Sequence, residues 1–313
     1  MTTPSSSPAR SPADGLNAVQ AWRRDAALAL GADDAVARQF GETGLLVLDD
    51  KPVSLQPMSE QPTGAWIASA RAGRPEGIGE AQWCDALLLA SSQSLIVTHA
   101  AFGLATDGDA VLIVGTPAGL DHPALLGAEV AGLLALRRAV VEGVTTKLPQ
   151  EVIDQLRASM DADDDAPADS EPDDPSAQEF EAPEEVLVMV HGAMLHLGRS
   201  AGQALATARS GGLEIDGRYI GLACDVDGEN LIVAADLGPG VLDTASRRRA
   251  ALLANTELMA FVGMAVVREG GQARLMTRWH LPGQNAENFA GWLRDVARLA
   301  NAIVQRSTAD ANH

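Results

Sequence analysis

The fold is decided by the stretch Leu253-Ala254-Asn255-Thr256 together with the apolar run at residues 259–268 that follows it. An earlier part of the chain has the same pattern, because Leu89-Ala90-Ser91-Ser92 precedes a similarly apolar run at residues 95–104. Aligning the two four-residue segments also brings the two apolar runs into register. This match indicates that a folding unit is duplicated within the chain.

The repeat extends beyond these segments to a whole domain length. After a one-residue difference in the turn, residues 110–114 lie over residues 273–277. The amphipathic stretch at 124–141 then lies over 286–304. The aligned residues are about 160 positions apart. A repeat with this period is far too long for a solenoid and predicts two similar domains in tandem.

The patterns of apolar residues predict the same element order in both halves, α-β-β-β-α-β-β-α. This order is typical of an α+β domain with a mostly antiparallel sheet, so the predicted fold is a tandem duplication of such a domain. The predicted organisation is a disordered tail (1–13), a first domain (14–150), an acidic disordered linker (151–182), a second domain (183–306) and a tail (307–313).

The individual elements follow from periodicity and turn residues. In the first half we expect a helix from Asp14 to Leu30, a second helix over about 80–92, and strands at 94–104 and 110–116. In the second half we expect a helix over about 183–206, a helix from Asp243 or Thr244 through Ala254, and a strand at 259–268.

The charge of the chain is strongly negative and unevenly distributed. The 313 residues carry a net charge of −19, and residues 161–185 hold twelve Asp and Glu but no Lys or Arg. A general nucleic-acid binder needs a basic surface for phosphate contacts, so this composition argues against one. The acidic stretch is interpreted as an extended tether, with the alternative that it mimics a polyanion and occupies a basic site.

Cysteine use and hydropathy indicate a cytoplasmic protein. The two cysteines, Cys84 and Cys224, are isolated and form no disulfide framework, which favours a reducing compartment. No window approaches 18 uninterrupted apolar residues, so no membrane insertion is expected. The Ser/Pro-rich residues 1–13 lack the apolar core of a secretory signal peptide.

The apolar run at 261–267 would present apolar side chains on both faces of a strand. A strand in a sheet with one wet face should alternate instead, so the second face must be covered. The matching run at 95–102 is only slightly less apolar. The two matching surfaces could cover each other as a pseudo-dimer within one chain, and the alternative is a covering helix of the same domain.

The second half resembles the class I chaperones of bacterial type III secretion, of the CesT/Tir chaperone type. The resemblance rests on element order and on diffuse motifs, and it covers 183–306 better than 14–142. Its most specific part is the helix end Leu252-Leu253-Ala254-Asn255 followed by an apolar strand and a hairpin. The other residues that carry it are the segment 212–217, the strand 275–281, and Phe289, Trp292 and Leu293 of the closing helix.

The resemblance implies a pairing surface made by the second helix and the strand after it. Family members are usually small acidic homodimers of one such domain, whereas this chain carries two domains and a linker. The resemblance therefore implies an intramolecular pseudo-dimer and leaves open an additional homodimer. By position, the implied pairing residues are Leu88, Leu95 and Val97 in one domain and Leu252, Phe261 and Val262 in the other.

The resemblance also implies a function without catalysis. Such chaperones bind the extended N-terminal segment of a secreted effector in the bacterial cytoplasm and keep it competent for export. Strand addition with pockets for alternate side chains would supply the binding. The cargo-binding residues expected on this basis are Val47, Val53, Leu55, Ile215, Ile220 and Leu222, with the alternative that each is an ordinary core residue.

Catalytic and metal-binding patterns are not evident in the sequence. His191 and His196 are five residues apart, whereas a helical metal pair prefers four, so no metal or other cofactor is expected. Cys84 and Cys224 are expected to be buried and inert. No nucleophile, base and oxyanion site can be assembled, so we expect no enzyme; an enzyme with an unrecognised polar pocket is a third hypothesis.

The basic run Arg247-Arg248-Arg249 opens the predicted helix of the second domain. Its simplest interpretation is a solvated helix face, with contacts to the acidic linker or to the secretion ATPase as alternatives. A second functional hypothesis also stays open, in which the same fold serves as a regulatory or scaffold protein that sequesters a regulator or an apparatus component. The two functions differ in whether the partner is an exported protein or a resident one.

Overall fold

A computed structural model describes residues 17–48, 51–116, 122–145, 180–225 and 228–309. The predicted tail at 1–13, most of the predicted linker at 151–182 and the last four residues of the predicted tail at 307–313 lie outside the described residues. The described chain is an α+β structure with two five-stranded antiparallel sheets, which confirms the α+β class and the antiparallel pairing, whereas the tandem duplication stays a prediction.

The first half contributes four helices and five strands. They are α1 (Ala18–Ala29), α2 (Asp34–Thr43), β1 (Leu45–Leu48), β2 (Lys51–Pro57), β3 (Trp66–Ala72), α3 (Glu80–Val97), β4 (Ala100–Leu104), β5 (Ala110–Thr116) and α4 (Pro123–Thr145).

The second half contributes the same kinds of element in the same order. They are α5 (Glu184–His196), α6 (Ala201–Ser210), β6 (Gly212–Ile215), β7 (Arg218–Cys224), β8 (Asn230–Asp236), α7 (Ala245–Val262), β9 (Met264–Glu269), β10 (Gln272–His280) and α8 (Ala286–Ala309).

The two sheets have equivalent strand orders, β1-β2-β3-β5-β4 and β6-β7-β8-β10-β9. Their last hairpins pair in equivalent registers, with Phe102 opposite Leu112 in one sheet and Val266 opposite Leu275 in the other. β4 and β9 are therefore edge strands at corresponding positions. Equal order and register place the residues aligned by the sequence repeat at the same points of the two sheets.

The chain divides into two compact units. One consists of Met1–Ala68 with Thr116–Gly132, and the other of Ser69–Gly115 with Leu133–His313. The boundary cuts through β3, and the predicted boundary in the acidic stretch at 151–182 stays a prediction. The second unit contains α3, β4 and the whole described part of the second half.

In the first half α1 lies within the helix expected from Asp14 to Leu30, but α2 was not expected. In the second half the single helix expected over about 183–206 is two helices, so that prediction was wrong. In the first half α1 begins after Asn17, whose side chain forms a capping box with Gln20, and α2 begins after the cap Asp33. In the second half the chain turns at Gly198, where φ is +79°, and Ser200 caps the next helix. Left-handed glycines end helices and side-chain caps begin them, which produces both breaks.

The predicted strands at 94–104 and 259–268 were too long. α3 continues to Val97 and α7 continues to Val262, so the strands begin only at Ala100 and Met264. α7 ends where Gly263 adopts the left-handed conformation, with φ of +65°. A short apolar run without a helix-breaking residue is compatible with a helix as well as with a strand. The spacing of its apolar residues therefore does not distinguish the two structures.

The first unit has a buried arginine in its core. Arg23 donates from Nε to the Leu55 carbonyl at 2.9 Å and from its terminal nitrogen to Oε1 of Gln56 at 2.9 Å. Its guanidinium lies 6.0 Å from the centre of the Trp66 ring. Burial lowers the pKa of Arg23 below its ordinary value, and the hydrogen bonds compensate the buried charge.

Candidate protein-interaction surfaces

The second unit contains a contact in which α3 and β4 pack against α7 and β9. Its centre is Asn255 on α7, which is fully buried. The Asn255 side chain accepts a hydrogen bond from the Val266 amide at 2.7 Å and donates to the Val266 carbonyl at 2.8 Å. It also donates to the Phe102 carbonyl at 3.1 Å, so one side chain joins the two edge strands β4 and β9.

Ser91 is the residue that the sequence repeat aligns with Asn255, and it occupies the corresponding position on α3. Its hydroxyl accepts a hydrogen bond from the Phe102 amide at 2.8 Å and donates to the Leu87 carbonyl at 2.8 Å. Thr256 adds a further bond from its hydroxyl to the Leu104 carbonyl at 3.2 Å. The outer edge of β4 is thus closed by helix side chains, which removes it as a template for another strand.

Gly103 marks the closest approach of α7 to β4. A methyl group at this position would lie 2.9 Å from the backbone nitrogen of Thr256 and 3.1 Å from the carbonyl oxygen of Leu252. Both are backbone atoms of α7, so they cannot move aside as a flexible side chain would. Glycine is therefore required for the helix to reach the strand edge.

Ion pairs surround this contact. Asp85 on α3 lies 2.6 Å from the guanidinium of Arg268 and 3.3 Å from Nε of Arg248. Glu80 lies 2.9 Å from Arg249. Acidic residues of α3 thus face basic residues of α7 and β9, and like charges would meet if α7 packed against a second α7.

The run 247–249 is consequently not the solvated helix face that the simplest interpretation expected. Arg248 and Arg249 pair with α3, and Arg247 donates to the Gly240 carbonyl and to the Ser307 carbonyl. Each of the three side chains is half-buried. These arginines hold the second unit together rather than presenting free charges.

A polar cluster lies where Arg278 of β10 meets the end of α3. Arg278 donates to Oδ2 of Asp225 at 2.6 Å and to the Ile96 carbonyl at 2.9 Å. Burial acts to raise the pKa of Asp225, but hydrogen bonds from Asn230 and the charge of Arg278 outweigh it and lower that pKa. Burial, and then the charges of Arg278 and His280, lower the pKa of His99 below its ordinary value.

The six expected pairing residues divide into two groups. Leu88, Leu95 and Leu252 are buried, with at most 1% of each exposed. Val97, Phe261 and Val262 are exposed by 74%, 77% and 49%. The exposed three lie at the ends of α3 and α7, because the residues expected in strands continue these helices instead.

The six expected cargo-binding residues lie mostly in the cores of the sheets. Five of them are at most 8% exposed and offer no side-chain surface to a partner: Val53, Leu55, Ile215, Ile220 and Leu222. Val47 is 62% exposed on the edge strand β1, beside Leu45 at 45%. Among the expected cargo residues, only Val47 presents a substantial surface.

An apolar groove between α7 and α8 was not expected from the sequence. It has a volume of about 690 Å³, and its lining includes Ala250, Ala254, Phe261, Ala302 and Ile303. Residues 250, 254, 258 and 261 follow helical spacing, so the groove would have been visible had 259–262 been assigned to the helix. The exposed Phe261 stands at one end of the groove.

The described residues that could carry chemistry are dispersed. Among them, no group of three or more His, Cys, Asp or Glu side chains is placed to hold a metal ion. Burial raises the pKa of the Cys84 thiol, which is buried, and that of the Cys224 thiol, which is only half-buried. A raised pKa keeps both thiols protonated at neutral pH and lowers their reactivity.

None of the helices in the part of the chain that the structure describes is long and apolar enough to cross a membrane. Comparison with protein-family models, with curated proteins and with solved structures gives no match to this chain.

Proposed function

We propose that the chain is a protein-binding chaperone without catalytic activity, formed by duplication of one α+β domain. The two domains pair within the chain as a pseudo-dimer. By its resemblance to class I type III secretion chaperones, the protein acts in the bacterial cytoplasm, binds the N-terminal segment of one or more secreted effectors, and keeps them competent for export.

The packing of α3 and β4 against α7 and β9 is the observation that supports this proposal. The resemblance implies a pairing surface built from the second helix and the following strand of each domain. The contact in the second unit joins these elements, and the aligned residues Ser91 and Asn255 bind the aligned strand positions Phe102 and Val266. Hydrogen bonds from aligned residues to aligned strand positions are expected of two duplicated domains and are not expected of two unrelated ones.

The edge strand β1 is the cargo surface that this proposal favours. The two described sheets have four edge strands. β4 is bonded by side chains of α3 and α7, and β9 is bonded by Asn255. β6 has buried Leu213 and Ile215, and Arg199 donates to its Glu214 carbonyl. The Thr43 hydroxyl bonds the backbone amide and carbonyl of Leu45, but β1 presents the apolar side chains of Leu45 and Val47 to solvent. An exposed, apolar edge strand binds an extended segment by main-chain hydrogen bonds and side-chain contacts.

Affinity purification of the tagged full chain from the bacterium that encodes it, followed by mass spectrometry, tests the proposal. Recovery of a secreted protein, lost when roughly its first hundred residues are deleted, supports the chaperone; strand addition needs only such an extended segment. Recovery of only a transcription factor or an apparatus subunit supports the regulatory alternative. Retention of no protein under conditions of expression contradicts both.

A further inference from the structure

The groove between α7 and α8 differs in kind from the edge strand β1. Both of its walls are α-helices, whose backbone N–H and C=O groups are already bonded within each helix. The walls therefore offer no main-chain donors or acceptors to an extended segment. A segment that binds in this groove loses its hydrogen bonds to water and must form its backbone hydrogen bonds internally. An α-helix does so.

The shape of the groove fits a helix. The start of α7 lies beside the end of α8, because Arg247 near the start of α7 donates to the Ser307 carbonyl near the end of α8. Alanines at positions 250, 254 and 302 leave room between the two helices, and Leu258 and Phe261 close the far end. Along α7 the lining extends from residue 247 to 261, about 21 Å or roughly four helical turns, and along α8 it extends from Leu299 to Ser307, about 12 Å.

The outer parts of the groove carry opposite charges at its two ends. Arg306 lies beside the start of α7, whereas Glu257 lies about 15 Å further along α7. Both side chains are exposed, and neither forms an ion pair with another residue in the described ranges. A helix with a carboxylate near one end and a cation about ten residues away would complement both charges.

We propose that the α7–α8 groove is a docking site for an amphipathic helix of a partner protein, with a carboxylate of that helix against Arg306. Its apolar stripe covers the alanines and packs on Phe261, an exposed aromatic of the kind that anchors interfaces. The proposed occupant is a partner helix that carries a carboxylate and a cation about ten residues apart, because these charges complement Arg306 and Glu257. The proposal does not depend on cargo binding at β1.

A synthetic probe tests this docking site without knowledge of the natural partner. The probe is a fluorescein-labelled peptide of about 16 residues, with leucines spaced i, i+3, i+4, i+7, a glutamate near one end and a lysine about ten residues away. A second peptide carries lysine in place of the glutamate. Fluorescence polarisation measures the binding of both to the full chain and to four variants: Phe261→Ser, Ala254→Trp, Arg306→Glu and the control Val188→Ser.

Val188 is a suitable control because it is 64% exposed on α5, outside the groove. All the substituted residues are exposed in the structure, so folding should be retained, and circular dichroism checks this. We expect the Phe261→Ser and Ala254→Trp variants to bind the glutamate peptide about tenfold or more weakly, as for loss of an interface anchor. The Val188→Ser variant should bind like the wild type.

The Arg306→Glu variant and the lysine peptide together test the orientation of the docked peptide helix. Arg306→Glu should weaken binding of the glutamate peptide by about fivefold and restore binding of the lysine peptide. Equal binding by wild type, Phe261→Ser and Ala254→Trp, or no binding by any of them, overturns the docking site. Sedimentation showing a wild-type dimer that Phe261→Ser dissociates overturns the assignment to a partner and makes the occupant a second copy.

Discussion

Asn255 donates a hydrogen bond to the carbonyl of Phe102, a residue 153 positions earlier in the chain. The same amide side chain bonds both backbone groups of Val266, the residue that the repeat aligns with Phe102. A single buried side chain therefore links the edge strands of two similar sheets. The stability of the second unit should depend on it more than on any exposed polar residue of α7 or α8.

Substitution of Asn255 by Ala should lower the free energy of unfolding by about 2–4 kcal/mol, because it leaves three buried backbone groups without their partner and creates a small cavity. Urea denaturation followed by circular dichroism measures the change. Asn288→Ala is a matched control on α8, since Asn288 is exposed. Equal stabilities of the two variants would show that the Asn255 bonds do not hold the strands together.

Gly103→Ala should destabilise the protein by about 1–3 kcal/mol, because the added methyl group meets the backbone of α7 and forces it away from β4. Gly291→Ala is the opposite case, since Gly291 lies within α8 and has no atom within 4 Å of an added Cβ. It should stabilise the chain by about 0.5–1 kcal/mol. Thermal melting of both variants tests this contrast, and a stable Gly103→Ala variant would contradict it.

Asp85→Ala should cost about 1 kcal/mol at low ionic strength, because Asp85 is partly shielded and faces both Arg248 and Arg268. Asp295→Ala removes an ion pair whose partners are 69% and 70% exposed, and its effect should be close to zero. Denaturation at low and high salt separates electrostatic from packing effects. An Asp85 effect that does not shrink in high salt would argue against the ion pairs.

Stability should fall as pH decreases below about 6.5, the ordinary value of a histidine in the unfolded chain. The pKa of His99 is lowered in the folded state, mainly by burial and then by Arg278 and His280, so the unfolded chain binds the proton more readily. The loss grows from pH 6.5 down to the lowered pKa and is then constant. His99→Gln should flatten this part of the stability profile, and an unchanged profile would exclude His99 as its cause.

Part of this architecture could be predicted from the sequence. The repeat alignment placed Ser91 over Asn255, and these residues make corresponding bonds to strands that the alignment also matched. Hydrophobic order alone gave the α+β class and the strand count, since both halves showed the same succession of turns and apolar runs.

Other features could not be predicted, for identifiable physical reasons. The runs 95–97 and 261–262 are apolar and lack breakers, so their periodicity did not show that they extend helices. The groove beside Phe261 exists only because of that extension. Burial of Val53 and Ile220 depends on which sheet face is covered, and an alternating pattern in a single sequence does not distinguish a core face from a binding face.

The central claim is that an exposed edge strand of this chain binds the N-terminal segment of an exported protein. Isothermal titration with the first hundred or so residues of a captured partner tests it most directly, comparing wild type, Val47→Asp and the exposed control Val188→Asp. We predict that Val47→Asp weakens binding about tenfold or more while Val188→Asp does not, because a charge on the edge strand disfavours strand addition. Equal affinity of all three proteins would contradict the claim.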